Sequence, residues 1–152
     1  MDIEQAIRDY LPQTVHMSLA TVKDAIPWVC EVHFSWDAEL NLYFRSLASR
    51  RHSQEIANNP NVAGNIVVQH PLGMPARGVY FEGKAHALTT EDELDKAFRS
   101  LQERFNFTAD IREDAHKPEG KHFYQISVAT FYLFDALEST PSQKYALPWK
   151  YE

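Results

Sequence analysis

Apolar and polar residues alternate along two early stretches, Val15–Val22 and Pro27–Trp36, which are separated by the turn-like Lys23–Ile26. A period of two predicts β-strands with one buried face. In the second stretch Trp28, Cys30, Val32, Phe34 and Trp36 share the apolar face, while Glu31, His33 and Ser35 take the other. Glu39–Leu47 reads as a third strand, reached through a short turn containing Asp37. Further strands are expected at Val62–Gln69, Gly78–Leu88 and Phe123–Leu137. In the last of these both faces turn apolar after Ala129, which predicts a bulge or burial on two sides. The tail Pro141–Glu152 has room for one more short strand.

Helical spacing appears in three other places. Ile3, Ala6, Ile7, Tyr10 and Leu11 follow Asp2, an N-cap with Gln5 three residues on, and Pro12 closes the segment. A short helix is expected from about Arg50 to Asn58, ended by Asn58–Asn59–Pro60. Thr90 and Glu93 have capping-box spacing before a longer helix with Leu94, Ala97, Phe98, Leu101 and Phe105 inside. Residues 106–120 are polar and read as a loop with a second short helix.

Six strands in mostly sequential antiparallel order predict a mainly β, closed or partly closed barrel, because closure removes exposed edges. The chain has no repeat or Gly/Ser linker, so a single domain over residues 1–152 is expected. The strand–helix alternation of a dinucleotide fold is missing, and so is any phosphate-binding glycine loop.

Composition narrows the function. With 44% apolar residues in 152, a core needs no disulfide or metal. One cysteine, Cys30, excludes an intrachain disulfide and points to a reducing cytoplasm. No apolar run spans a membrane, and the first residues lack a signal-peptide pattern. Fifteen basic against 21 acidic residues leave a net charge of −6, which disfavours nucleic acid and anionic lipid. A small anion in a locally basic pocket is compatible with it.

The histidines form no H-E-x-x-H, H-x-H or Cys/His pair at ligand spacing, so no metal site is expected. His33 sits on the polar side of its strand, where it can reach a ligand or simply face solvent. Cys30, between Trp28 and Val32, reads as packing rather than as a nucleophile.

The segment Tyr43-Phe44-Arg45-Ser46-Leu47-Ala48-Ser49-Arg50-Arg51-His52 breaks a local rule. Ser49 stands where an N-cap belongs, yet the first helical turn carries Arg, Arg and His, whose charges oppose the helix dipole. Either Arg50 and Arg51 point into solvent or pair with carboxylates elsewhere, or a bound phosphate gathers guanidinium, hydroxyl and backbone N–H groups around one anion.

This string, followed by a short helix and N-N-P-N-V-A, resembles the phosphate-binding signature of pyridoxamine 5'-phosphate oxidase-like proteins. Ser18–Val22, Pro27–Phe34 and Arg77–Ala85 fit the same template in order, so the resemblance covers residues 15 to about 105. It implies an FMN-binding six-stranded antiparallel split β-barrel with inserted helices. Arg50 and Arg51 would be the basic pair on the FMN phosphate, with Phe44, Arg45, Ser46 and Ser49 beside them. The stretch from Cys30 through Glu31, Val32 and His33 to Ser35 would run along the isoalloxazine ring. Tyr145, Trp149 and Lys144 would either cover the ligand or pack the tail. The family binds flavin at a two-fold interface, which implies a homodimer.

The oxidase itself carries Arg, Lys and Gln at the positions of Cys30, Ser35 and Gly78, and a C-terminal Arg-x-His motif that has no counterpart here. The resemblance therefore implies a small divergent member rather than that oxidase. Its function would be FMN-dependent hydride or electron transfer with a small-molecule or nicotinamide donor, the cofactor carrying the chemistry. The alternatives are a non-catalytic flavin or haem binder for storage, sensing or stress, and a cofactor-free structural dimer.

Overall fold

The computed structural model describes residues 1–135 and 143–149. Helix α1 (Ile3–Tyr10) starts at Asp2, whose carboxylate accepts from the Gln5 N–H at 3.0 Å, and ends in the short 3₁₀ turn Leu11–Gln13 that contains Pro12. Strands β1 (His16–Lys23) and β2 (Ile26–His33) form a hairpin, closed by Asp24 and Ala25 at positive φ. The chain continues through β3 (Ser35–Trp36), β4 (Leu42–Leu47), α2 (Arg51–Asn58), β5 (Asn61–Ile66) and β6 (Arg77–Ala87). Then follow α3 (Glu91–Phe105), α4 (Ile111–Asp114), β7 (Lys121–Asp135) and β8 (Lys144–Pro148).

All pairings are antiparallel, in the order β2-β1-β5-β6-β7-β4-β3, with β8 added to β7. The two ends of that order, β2 and β3, are successive segments of the chain. The sheet therefore curls round on itself, and the barrel is split where β2 passes β4 without a ladder. This is the expected six-stranded split barrel, its second predicted strand bent into two pieces and its tail contributing β8. The expected end of β7 at residues 136–137 and of the tail at residues 150–152 lies outside the described residues.

The bend changes which side chains are buried. The alternation read from Trp28 to Trp36 holds at Val32 and Phe34, but Trp28 is 40% exposed and Ser35 is buried beside Phe34. At Phe34 the chain leaves β1, with its N–H on the Val15 carbonyl at 3.2 Å, and turns toward β4. The first half of β2 is left as an outer edge. Ser35 becomes an interior contact, accepting a hydrogen bond from Ser100 of α3 at 2.7 Å.

The bulge read from the apolar faces of β7 lies where the pattern placed it. Glu82 pairs with Thr130 and Gly83 with Val128, so Ala129 is the extra residue, and the N–H of Trp149 bonds its carbonyl at 2.8 Å. A side chain at Gly83 would strike the Ser127 carbonyl oxygen, so glycine is what lets the strands approach there. Beyond the bulge β8 covers β7, and Tyr145, Leu147 and Trp149 pack on the core.

Two apolar clusters hold the fold. The main one fills the barrel, with Ile7 and Leu11 of the N-terminal segment closing one end. There the Tyr10 hydroxyl accepts from the Val68 N–H at 2.7 Å and donates to the Arg77 carbonyl at 3.2 Å. The smaller cluster joins Leu94, Ala97 and Leu101 of α3 to Tyr43, Leu88, Ile111 and Phe123. The Thr90–Glu93 capping box sets the start of α3, and Asn106 at φ 49 ends it in the left-handed region. By docking there, α3 brings Leu101 and the following Phe107 against the end of β4.

Candidate functional site

Beside that docked helix, the end of β4, the start of α2, the last residues of β2 and the first of β7 border a cleft of ≈ 430 Å³. Its lining includes Glu31, Val32, His33, Arg45, Ser46 and Arg50 from the expected set. Leu47, His52, Leu101, Phe107 and Lys121 complete it. The structure thus joins the strand-end and basic-segment residues to the β2 stretch read as the ring wall. Cys30, Phe44, Ser49 and Arg51 stand outside the lining.

Each of these four has a definite place. Phe44 is fully buried and stacked on Tyr124, with ring centroids 4.9 Å apart. Cys30 is half-buried on β2, and burial pushes its thiol above the ordinary value, with Glu31 and Glu55 adding to the shift. Ser49 is not the N-cap of α2. The Arg50 N–H bonds the Leu47 carbonyl at 3.1 Å, closing a turn that moves the helix start by one residue. Arg50 then holds the cap position without a side-chain bond to the helix. Arg51 donates from Nε to Glu55 at 2.7 Å and lies over the Trp28 ring at 4.2 Å. Glu55 is buried and also accepts from Thr21 at 3.0 Å. The Arg51 hydrogen bond is the largest influence holding its carboxyl below the usual range.

Arg45 shows the opposite balance. Its side chain is 15% exposed, its nearest carboxylate is Asp114 at 3.6 Å, and it lies over Phe107 at 5.0 Å. Its Nε is buried without a hydrogen-bond partner, as is the Ser53 hydroxyl in the first turn of α2. Burial lowers the Arg45 guanidinium from its ordinary value and Asp114 offsets part of that. Buried donors left unbonded cost about 1–3 kcal/mol each, a cost that an anion can remove.

On the cleft floor the Ser46 hydroxyl and His52 Nε2 are 2.7 Å apart and both residues are buried. Burial first, and then Arg50, hold the imidazole below its ordinary pKa, against a smaller pull from Glu55. Along the β2 wall, His33 stacks between His16 and Phe105, at 6.3 and 5.5 Å. Glu31 accepts from Ser18 and pairs with His16 at 3.3 Å. The outer edge of β2 has no strand partner among the described residues.

His52, Phe107 and Lys121 were not singled out from the sequence. His52 was legible only as a charge opposing the dipole, and Phe107 stood as an aromatic residue in an otherwise polar run. Lys121 reaches the cleft because β7 pairs Lys121 with Leu47 across the chain.

Comparison with known proteins bears on this arrangement. The sequence model described as pyridoxamine 5'-phosphate oxidase matches residues 3–135. The chain belongs to the pyridoxamine 5'-phosphate oxidase family. Structures of similar fold include an FAD-binding protein from Mesorhizobium loti, at 19% identity and TM-score 0.65, covering 90% of this chain and 95% of that one. HutZ, a haem storage protein from Vibrio cholerae, is 18% identical with TM-score 0.68, covering 84% and 91%. A haem-binding protein from Mycobacterium smegmatis is 13% identical with TM-score 0.74, covering 93% of this chain and 55% of its own length. At these identities the likeness is one of fold. A sequence comparison with curated proteins finds no match. In this family member no helix among the described residues is long and apolar enough to cross a membrane.

Proposed function

We propose that this protein binds FMN in the β4–α2 cleft and serves as a flavin-dependent oxidoreductase for a small-molecule or nicotinamide donor. The observation that carries the binding step is the convergence on one cleft of a buried unbonded donor, an exposed cation and an uncapped helix start. Arg45 Nε is buried and unbonded, α2 starts without a side-chain cap, and Arg50 makes no ion pair among the described residues. A phosphate monoester matches that donor set. Arg45, Ser46, Arg50 and His52 would hold the phosphate, and the Glu31–His33 segment would run along the ring. Bound flavin supplies hydride and electron transfer, while the protein positions it and sets its electrostatics.

A haem-binding reading has one observation in its favour: His33 is an exposed imidazole on the cleft wall, and imidazole is a common haem ligand. The test of both is the visible spectrum of the purified protein before and after incubation with FMN and desalting. Retained flavin that bleaches with a nicotinamide donor under anaerobic conditions supports the full proposal. Retained flavin that no donor reduces reduces it to binding. No retained flavin, with a haem band after haem addition, replaces it.

The protein is further proposed to act as a homodimer through the outer edge of β2. Ile26 and Val29 are 60% and 59% exposed there, beside Trp28, and an unpaired apolar strand edge favours association. Val29→Glu is expected to shift the mass seen by light scattering from dimer to monomer. A wild type that is already monomeric at micromolar concentration would exclude this assembly.

A further inference from the structure

The charges around the cleft do not balance a phosphate. Arg45, Arg50 and Lys121 border it, while Glu31 on the wall and Asp114 behind Arg45 oppose them. One net positive charge remains, whereas a phosphate monoester carries close to two negative charges at neutral pH. Arg51 does not close the gap, because Glu55 holds it at 2.7 Å. On the floor stands one more group able to gain a charge, His52.

Ser46 and Phe44 face His52 from β4, the hydroxyl at 2.7 Å and the aromatic ring at 6.3 Å. Arg50 and Glu55 act on it from its own segment, in opposite senses. Across the cleft lie Glu31 and His33 of β2, Arg45 of β4 and Lys121 of β7. His16 is engaged by Glu31 rather than by the floor. His122 of β7 stands opposite Ser46 in the ladder, with its Nε2 2.9 Å from the Lys117 carbonyl.

We propose that His52 is a proton-linked anion ligand, taking one proton from solvent at Nε2 when a phosphate monoester dianion enters the cleft. The Ser46–His52 couple makes this a change of bond direction. In the tautomer with its hydrogen on Nδ1, which the proposal assigns, neutral His52 accepts the Ser46 hydroxyl at Nε2. Protonated there, it donates to Ser46 Oγ instead, and the hydroxyl hydrogen turns to the phosphate, since a hydroxyl has one donor and two acceptor sites. The anion then gains a positive charge nearby and a neutral donor in contact, with no movement of backbone. This rests on the phosphate reading above and adds its dependence on pH. Below the second phosphate ionisation the ligand brings its own proton, so the linkage is confined to pH above about 6.

Calorimetry of FMN binding near neutral pH, in two phosphate-free buffers of different ionisation enthalpy, reads proton uptake directly. The wild type is expected to take up about one proton per site, with affinity falling up to about tenfold per pH unit above neutrality. His52→Gln keeps a polar partner for Ser46 but not the charge, and is expected to bind FMN about tenfold more weakly at neutral pH, without the uptake or the slope. Riboflavin, which lacks the phosphate, is expected to show neither. A wild type without proton uptake, or undiminished uptake in His52→Gln, overturns the linkage and leaves FMN binding in place. If the wild type binds no FMN, the FMN reading falls, and inorganic phosphate then decides the linkage: no proton uptake with it overturns the proposal. The His52 ring resonances, titrated by NMR with and without phosphate, are expected to shift their midpoint upward. An unmoved midpoint overturns the proposal.

Discussion

Arg45→Ala/Arg50→Ala is expected to lose FMN retention on desalting, with an affinity loss of about 10²- to 10⁴-fold. That range comes from two charge-assisted contacts of about 1.5–3 kcal/mol each, at about 1.4 kcal/mol per decade. The informative control is Arg51→Ala. Sequence spacing alone treats Arg50 and Arg51 as equivalent, but in the fold Arg51 spans Glu55 and Trp28. Among the described residues its removal leaves the buried Glu55 carboxylate with the Thr21 hydroxyl as hydrogen-bond donor and Lys23 as a nearby positive charge. Arg51→Ala is therefore expected to lower the melting temperature while reducing FMN affinity by less than about tenfold. Equilibrium dialysis with FMN and thermal unfolding of the same three proteins separate the outcomes. If Arg51→Ala abolishes binding and Arg45→Ala/Arg50→Ala does not, the phosphate lies on the other side of α2.

Phe44→Ala is expected to cost about 3–5 kcal/mol of stability, since a fully buried aromatic side chain leaves a cavity that its neighbours fill only partly. Tyr124 would lose its stacked partner and His52 its aromatic backing. A chain of this size is expected to melt about 6–20 °C lower, taking about 2–4 °C per kcal/mol. Phe44→Leu, which keeps most of the volume, is expected to lose about half as much or less. Urea unfolding of the three proteins measures both. A change below about 1 kcal/mol for Phe44→Ala would mean that Phe44 does not carry the core as its burial states.

These two predictions also show what the sequence could and could not disclose. Asp2 and the Thr90–Glu93 pair cap their helices as read, because capping is decided within four residues. The apolar faces of β7 after Ala129 allowed either a bulge or burial on two sides, and only the pairing with β6 decides for the bulge. Phe44 was read through the family signature as a strand-end contact, and its side chain is fully buried in the unbroken buried run Leu42–Phe44. Arg45 meets Asp114 across a long span of chain, through the docking of α3 and α4, and no local pattern carries that contact. The Arg51–Glu55 pair does lie at i,i+4 spacing, but spacing cannot tell a surface pair from one whose carboxylate is buried under β1. The Ser49 cap failed by one residue because a reverse turn at Leu47–Arg50 took the position first.

The polar groups that converge on the cleft floor come from one uninterrupted stretch, Arg45 to His52, whereas the wall opposite is borrowed from β2, α3 and β7. The two halves of the pocket are therefore separable units. Exchanging that one short stretch would re-specify which anion is gripped while the barrel ladder stays as it is. Conversely, replacements on the β2 wall would change the shape of the planar group accommodated and leave the grip intact. A cleft assembled in this way can be retargeted one half at a time, from either side.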